Sequence, residues 1–60
     1  MLTSRELEVL TLRKDNRTQQ EVAAQLGISQ AAVSSFENNA KKKIEDAKET
    51  LRQASLLGYS

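Results

Sequence analysis

Gln19-Gln20-Glu21-Val22-Ala23-Ala24-Gln25-Leu26-Gly27-Ile28-Ser29-Gln30-Ala31-Ala32-Val33-Ser34-Ser35-Phe36-Glu37-Asn38 reads as two helices joined by a tight turn at Gly27. A small residue, Ala23, stands four positions before the glycine, and apolar residues fall at Val22, Leu26, Ile28, Val33 and Phe36. Two helices crossing steeply need this arrangement. The small side chain permits close approach, and glycine accepts the left-handed turn conformation at little steric cost. The apolar set faces inward, which leaves the outer face of the second helix free to enter a DNA groove. The expectation is an all-α, three-helix, helix-turn-helix domain.

Cap chemistry extends the pattern on both sides of this stretch. Thr3 and Glu6 form a capping box, with Leu2 and Leu7 spaced as a hydrophobic staple. The first helix then runs to about Lys14 and buries Leu7, Val9 and Leu10. Asp15-Asn16-Arg17 is the connection, where Asn16 can take the left-handed conformation that ends a helix. Thr18 and Glu21 form a second capping box ahead of a helix over Gln19 to Leu26. Ser29 caps the third, with Ile28 and Val33 as another staple pair.

The apolar pattern does not stop at Phe36. Val33, Phe36, Ala40, Ile44, Ala47, Leu51 and Ala54 form one helical stripe that no glycine or proline breaks before Gly58. Either the third helix continues as one long helix, or it bends near Asn38-Asn39 into a C-terminal fourth. A three-helix unit covers Val33, Phe36 and Ala40. Leu51 and Ala54 lie about 16–27 Å further along the helix, at 1.5 Å per residue. They call for a second copy of the chain, with Ile44, Ala47, Leu51 and Ala54 as the dimer interface. Residues 1–60 thus read as one domain, with a DNA-binding core over 1–40 and a dimerisation helix over 41–57.

Composition removes most other functions. A 60-residue chain buries only about 60% of the surface its unfolded form exposes. There is no cysteine and no histidine, which excludes disulfides, thiolate or imidazole metal sites and the usual nucleophile–base pairs. The carboxylates are scattered. Glu45 and Glu49, one turn apart, have flanking lysines and make a poor metal pair. Nothing resembles a phosphate-binding loop or a nucleophile elbow. The expectation is no enzyme activity, no cofactor, no metal and no small-molecule ligand. No apolar run approaches the ~18–20 residues of a membrane span, and no signal peptide is visible, so a cytoplasmic protein is expected.

Net charge is only +1. Its distribution says more: residues 1–43 carry seven basic side chains against five acidic ones, and residues 44–60 carry two against three. The basic excess lies in the half assigned to DNA, and binding should be moderate and salt-sensitive. On the third helix, offsets from Val33 and Phe36 turn Ser29, Gln30, Ala31, Ser34, Ser35 and Asn38 outward as candidate base readers. Gln30 and Asn38 carry amides that pair bidentately with adenine, the serines donate or accept, and Ala31 suits a thymine methyl. No arginine occurs on this face, so A·T-containing sites are expected. Glu37 reads as an i,i+4 partner of Lys41 rather than a cytosine reader. Backbone N–H groups near Thr18, Gln19 and Gln20 offer a phosphate site, flanked by Arg17 and by Lys41, Lys42 and Lys43.

Leu2-Thr3-Ser4-Arg5-Glu6-Leu7-Glu8-Val9-Leu10 followed by Thr18 to Ser29 resembles the DNA-binding module shared by LuxR-type regulators and region four of sigma factors. Val33 to Ala40, then Ile44-Glu45-Asp46-Ala47-Lys48-Glu49-Thr50-Leu51, is similar to the Tfx family of archaeal DNA-binding proteins. Together these cover about residues 2–54 and imply a sequence-specific transcriptional regulator of double-stranded DNA, with the third helix as reader. Asn16 departs from the glycine common in such modules. The Tfx resemblance also implies a C-terminal domain beyond these residues, so the chain is either a piece of a longer regulator or a short one in its own right. Weak net charge keeps two other readings open: an adaptor docking on RNA polymerase or another regulator, and a plain dimerisation module.

Overall fold

The computed structural model describes residues 1–59 as three helices: α1 over Ser4–Lys14, α2 over Gln19–Leu26 and α3 over Gln30–Leu56. Each begins where cap chemistry supplies acceptors for its free N–H groups. Thr3 Oγ1 accepts from the Glu6 N–H at 3.2 Å, and the Thr3 N–H donates back to Glu6 Oε1 at 2.8 Å. Thr18 and Glu21 repeat the exchange at 3.1 Å in both directions. Ser29 Oγ accepts from the Ala32 N–H at 3.0 Å. Each such cap contributes about 1 kcal/mol.

The helix ends are equally local. Asn16 takes φ 65° after α1, and Gly27 takes φ 67° after α2. The Ile28 N–H then reaches back to the Ala23 carbonyl at 3.0 Å, the Schellman closure. Gly58, at φ 87°, closes α3 the same way, with the Tyr59 N–H on the Ala54 carbonyl at 2.9 Å.

Val9, Val22 and Val33, one from each helix, are fully buried and meet Ala23 at the centre of the core. Leu12, Leu26, Ile28 and Phe36 close around them. Three β-branched side chains and an alanine make a thin core, and the approach of α2 to the rest depends on Ala23 being small.

Two expectations for α1 are corrected. Leu7 was expected inside and is 51% exposed, while Leu10 is only half-buried. The inward line of α1 is instead Glu6, Val9 and Leu12, because Glu6 is drawn against α3 by an ion pair with Lys43. Leu2 lines a groove with Ile44 and Ala47, and Leu7 lines another with Leu12 and Leu26.

The choice left open at Asn38-Asn39 resolves to one continuous helix of 27 residues. At 1.5 Å per residue α3 is about 40 Å long, most of the 45 Å long axis of the molecule. Along the stripe, Val33 and Ala40 are buried, Phe36, Ile44 and Ala54 are half-buried, and Leu51 is 70% exposed. Among the described residues no helix is long and apolar enough to cross a membrane.

Candidate nucleic-acid interface

The Gly27 turn sends α3 across the core with Val33, Phe36 and Ala40 inward. At 100° per residue the opposite side belongs to Ala31, Ser35, Asn38 and Lys42, and all four are exposed. Gln30 and Ser34 sit on the flank nearer α2. Gln30 is exposed, with its amide 3.5 Å from the Gln19 side-chain oxygen, and Ser34 is half-buried. Ser29 is exposed; its hydroxyl oxygen accepts one bond in the cap, which leaves its O–H free to donate. The six expected readers therefore lie along the first three turns of one helix. Lys42, assigned from the sequence to phosphates, shares the outward line of Ser35 and Asn38.

The start of α2 brings Arg17, Thr18, Gln19 and Gln20 together. The Thr18 and Glu21 N–H groups are consumed by their own capping box. Those of Gln19 and Gln20 have no partner among the described residues, so two backbone donors point out of the helix start. The Thr18 backbone N–H, then its hydroxyl, hold the Glu21 carboxyl below the usual carboxylate range, with Arg17 assisting. That carboxylate offsets part of the helix-start field.

The lysine run divides. Consecutive residues fan around a helix in 100° steps, so Lys41, Lys42 and Lys43 cannot share a face. Lys43 Nζ lies 2.8 Å from Glu6 Oε1, on the far side from Lys41. Its donation is the first cause that holds the Glu6 carboxyl below its usual range, the Thr3 N–H the second. Glu37 was expected to pair with Lys41. It is instead 6% exposed, with Oε1 2.6 Å from Arg13 Nε. That contact is close but poorly aligned for a hydrogen bond, and Glu37 Oε1 is otherwise unpartnered. A second Arg13 nitrogen donates to the Arg17 carbonyl at 2.8 Å. The sequence carried no sign of either cross-helix pair, because both join residues far apart in the chain.

Of the expected dimer residues, Ile44 is partly covered by its own chain, in the groove it shares with Leu2. Ala47 and Leu51 follow exposed, and Ala54 is half-buried. Leu56, the last residue of α3, and Leu57 and Tyr59 beyond it extend the exposed apolar surface. Of the two carboxylates weighed as a metal pair, Glu49 is held by Arg52, whose Nε donates to Oε2 at 3.0 Å.

Residues 1–46 match the family described as Sigma-70, region 4. The chain is also similar to three proteins named as candidate transcriptional regulatory proteins. It is 40% identical to one from Haloarcula marismortui over 57 residues, 95% of this chain and 36% of the relative. It is 46% identical to one from Methanococcus vannielii over 50 residues, 83% of this chain and 35% of the relative. It is 43% identical to one from Methanocaldococcus jannaschii over 51 residues, 85% of this chain and 37% of the relative. The chain thus spans about a third of the length of these relatives. No solved structure matches it.

Proposed function

The chain belongs to the sigma-70 region 4 family, and from that premise we propose that it is the DNA-binding module of a sequence-specific transcriptional regulator. The observation that carries the reading is the exposed outer line of α3. It presents Ala31, Ser35 and Asn38, with Gln30 and Ser34 beside them, at the end of the helix that the Gly27 turn projects from the core. Such a face fits the major groove, with amides for adenine and a methyl for thymine. Ser29 donates from the helix start. Arg17, Thr18, Gln19, Gln20, Lys41 and Lys42 supply backbone contacts, and Lys43 serves Glu6 instead.

The names of the archaeal relatives support regulation of transcription as the role. A 57-residue match within 60 residues takes in all of α3, beyond the end of the sigma-like match at residue 46. That extent supports the finer placement beside the archaeal Tfx proteins, and with it a cytoplasmic regulator. The exposed Ala47 and Leu51, with half-buried Ala54 on the same stripe, support a homodimer through the second half of α3, which would put two reading helices on two half-sites.

A binding-site selection on random duplexes at two salt concentrations tests the reading. The expected result is an A·T-containing site whose affinity falls steeply with salt. Enrichment of a core made of G·C pairs alone would overturn the assignment of Gln30 and Asn38. Absence of salt-dependent binding to any duplex would favour the adaptor reading.

A further inference from the structure

Arg13 and Lys14 end α1, Arg17 precedes α2, and Glu37 and Lys41 sit one turn apart on α3. All five line one cleft of about 500 Å³ with Leu10. Four cations thus face a single carboxylate in a chain whose total charge is only +1. Elsewhere Lys43 is paired with Glu6, Arg52 with Glu49 and Arg5 lies near Glu8, while Lys42 and Lys48 are scattered and pair with no described residue. In the cleft only Arg13 is matched, by Glu37. Lys14, Arg17 and Lys41 make no ion pair with any described residue. A concave wall lined by one sign of charge concentrates anions.

The structure assigns this cleft to one backbone phosphodiester of a bound duplex, with Lys14, Arg17 and Lys41 as its ligands. The assignment rests on the DNA-binding reading above and adds a site to it. Location favours a duplex over a small free anion. The cleft opens on the flank of α3 next to the outward line of Ser35, Asn38 and Lys42, and its other wall leads to the free N–H groups of Gln19 and Gln20. A helix lying in the major groove has a phosphate backbone running past that flank. Arg13 is a positioning residue. One nitrogen meets Glu37 on α3 and another holds the Arg17 carbonyl, so it fixes the spacing between Arg17 and Lys41. Its own charge is spent on Glu37.

The test is a salt series with a labelled random-sequence duplex, read by fluorescence anisotropy. Each phosphate contact contributes about 0.9 to the slope of log affinity against log salt. Lys14→Gln and Lys41→Gln should each lower the slope by a fraction of a unit, and replacing both together with Arg17→Gln should lose about one unit in total because the three cations serve one phosphate. Arg13→Lys, which cannot span both partners, should weaken binding while leaving the slope at its wild-type value. Unchanged slopes in both lysine variants, or a loss near two units in the triple variant, would overturn the single-phosphate assignment. A reduced slope for Arg13→Lys would overturn its positioning role.

Amide spectra separate the two sources of phosphate. The duplex should shift residues 13–20 at concentrations where inorganic phosphate does not. Saturation by inorganic phosphate, with those amides indifferent to the duplex, would make the cleft a small-anion site and overturn the proposal. Wild-type protein that ignores every duplex sinks the DNA-binding reading itself. Wild type that binds with a normal slope while the lysine variants do the same sinks only the cleft.

Discussion

Gly27→Ala isolates the turn from everything around it. Gly27 has φ 67°, and a Cβ built there meets no heavy atom within 4 Å. Packing therefore contributes nothing to the cost, and backbone strain remains. Holding an L-residue in the left-handed region costs about 1–2 kcal/mol, offset in part because alanine narrows the unfolded ensemble. The net loss should be about 1 kcal/mol, or roughly 4–8 °C in midpoint for a domain of this size. Gly27→Asn should cost less, since asparagine tolerates this conformation. The chain supplies its own control. Asn16 has φ 65° at an exposed position, and Asn16→Gly should fall within about 0.5 kcal/mol of wild type. Thermal and denaturant melts followed by far-UV circular dichroism measure all three. A Gly27→Ala protein as stable as wild type would refute the strain argument. A loss above about 3 kcal/mol would mean that the added methyl meets something, contrary to the open surroundings.

Val33→Ala removes a fully buried side chain from a core of three valines and should cost about 2 kcal/mol by denaturant melt; a neutral result would mean that α3 does not pack there. Leu51→Asp should convert a dimer to a monomer in sedimentation while leaving the helix content unchanged, and identical monomers for wild type and variant would defeat the self-association argument. The Glu6 and Glu21 carboxyls are held below their usual range by donors that exist only in the fold. Their stabilisation is complete above the ordinary carboxylate range and is lost as pH falls through the depressed folded values. Glu6→Gln should therefore flatten the acid limb of a stability-against-pH curve, and an unchanged limb would show that the Lys43 pair contributes nothing.

What was legible in the sequence was local. Thr3, Thr18 and Ser29 each name a helix start through an acceptor that reaches only three residues ahead. Asn16 and Gly27 name two ends through a backbone region that few other residues enter. The inward face of α1 was legible only at Val9, which is fully buried. Periodicity counts apolar residues, and it chose Leu7 and Leu10. It has no means of seeing that Glu6 turns inward to meet Lys43, 37 positions away. Glu37 failed as a local reading for the same reason: Lys41 is one turn off, but Arg13 of another helix holds it. Continuity through Asn38-Asn39 was undecidable from propensity, since asparagine is a weak helix former. Glu37 and Ala40 are buried on either side of that pair, so tertiary contact carries the helix across it.

The two cross-helix pairs do more than fill gaps in a small core. On α1, Glu6 and Arg13 are two turns apart. On α3 their partners, Lys43 and Glu37, come in reverse order at nearly the same spacing, as antiparallel packing requires. Each pair sets a buried carboxylate against a cation that stays partly in water, so neither leaves a charge wholly desolvated. Valines cannot fix a register this sharply, because one apolar contact resembles the next. Turning α1 by one residue would carry Glu6 off the inward line and away from Lys43, and would carry Arg13 away from Glu37, whose carboxylate on α3 would then be buried without a cation. The register of α1 decides where Arg17 stands relative to Lys41, and with it the spacing of the phosphate-facing cations. A domain too small to specify its packing through hydrophobic contact alone thus sets the geometry of its basic cleft through the two ion pairs that close its core.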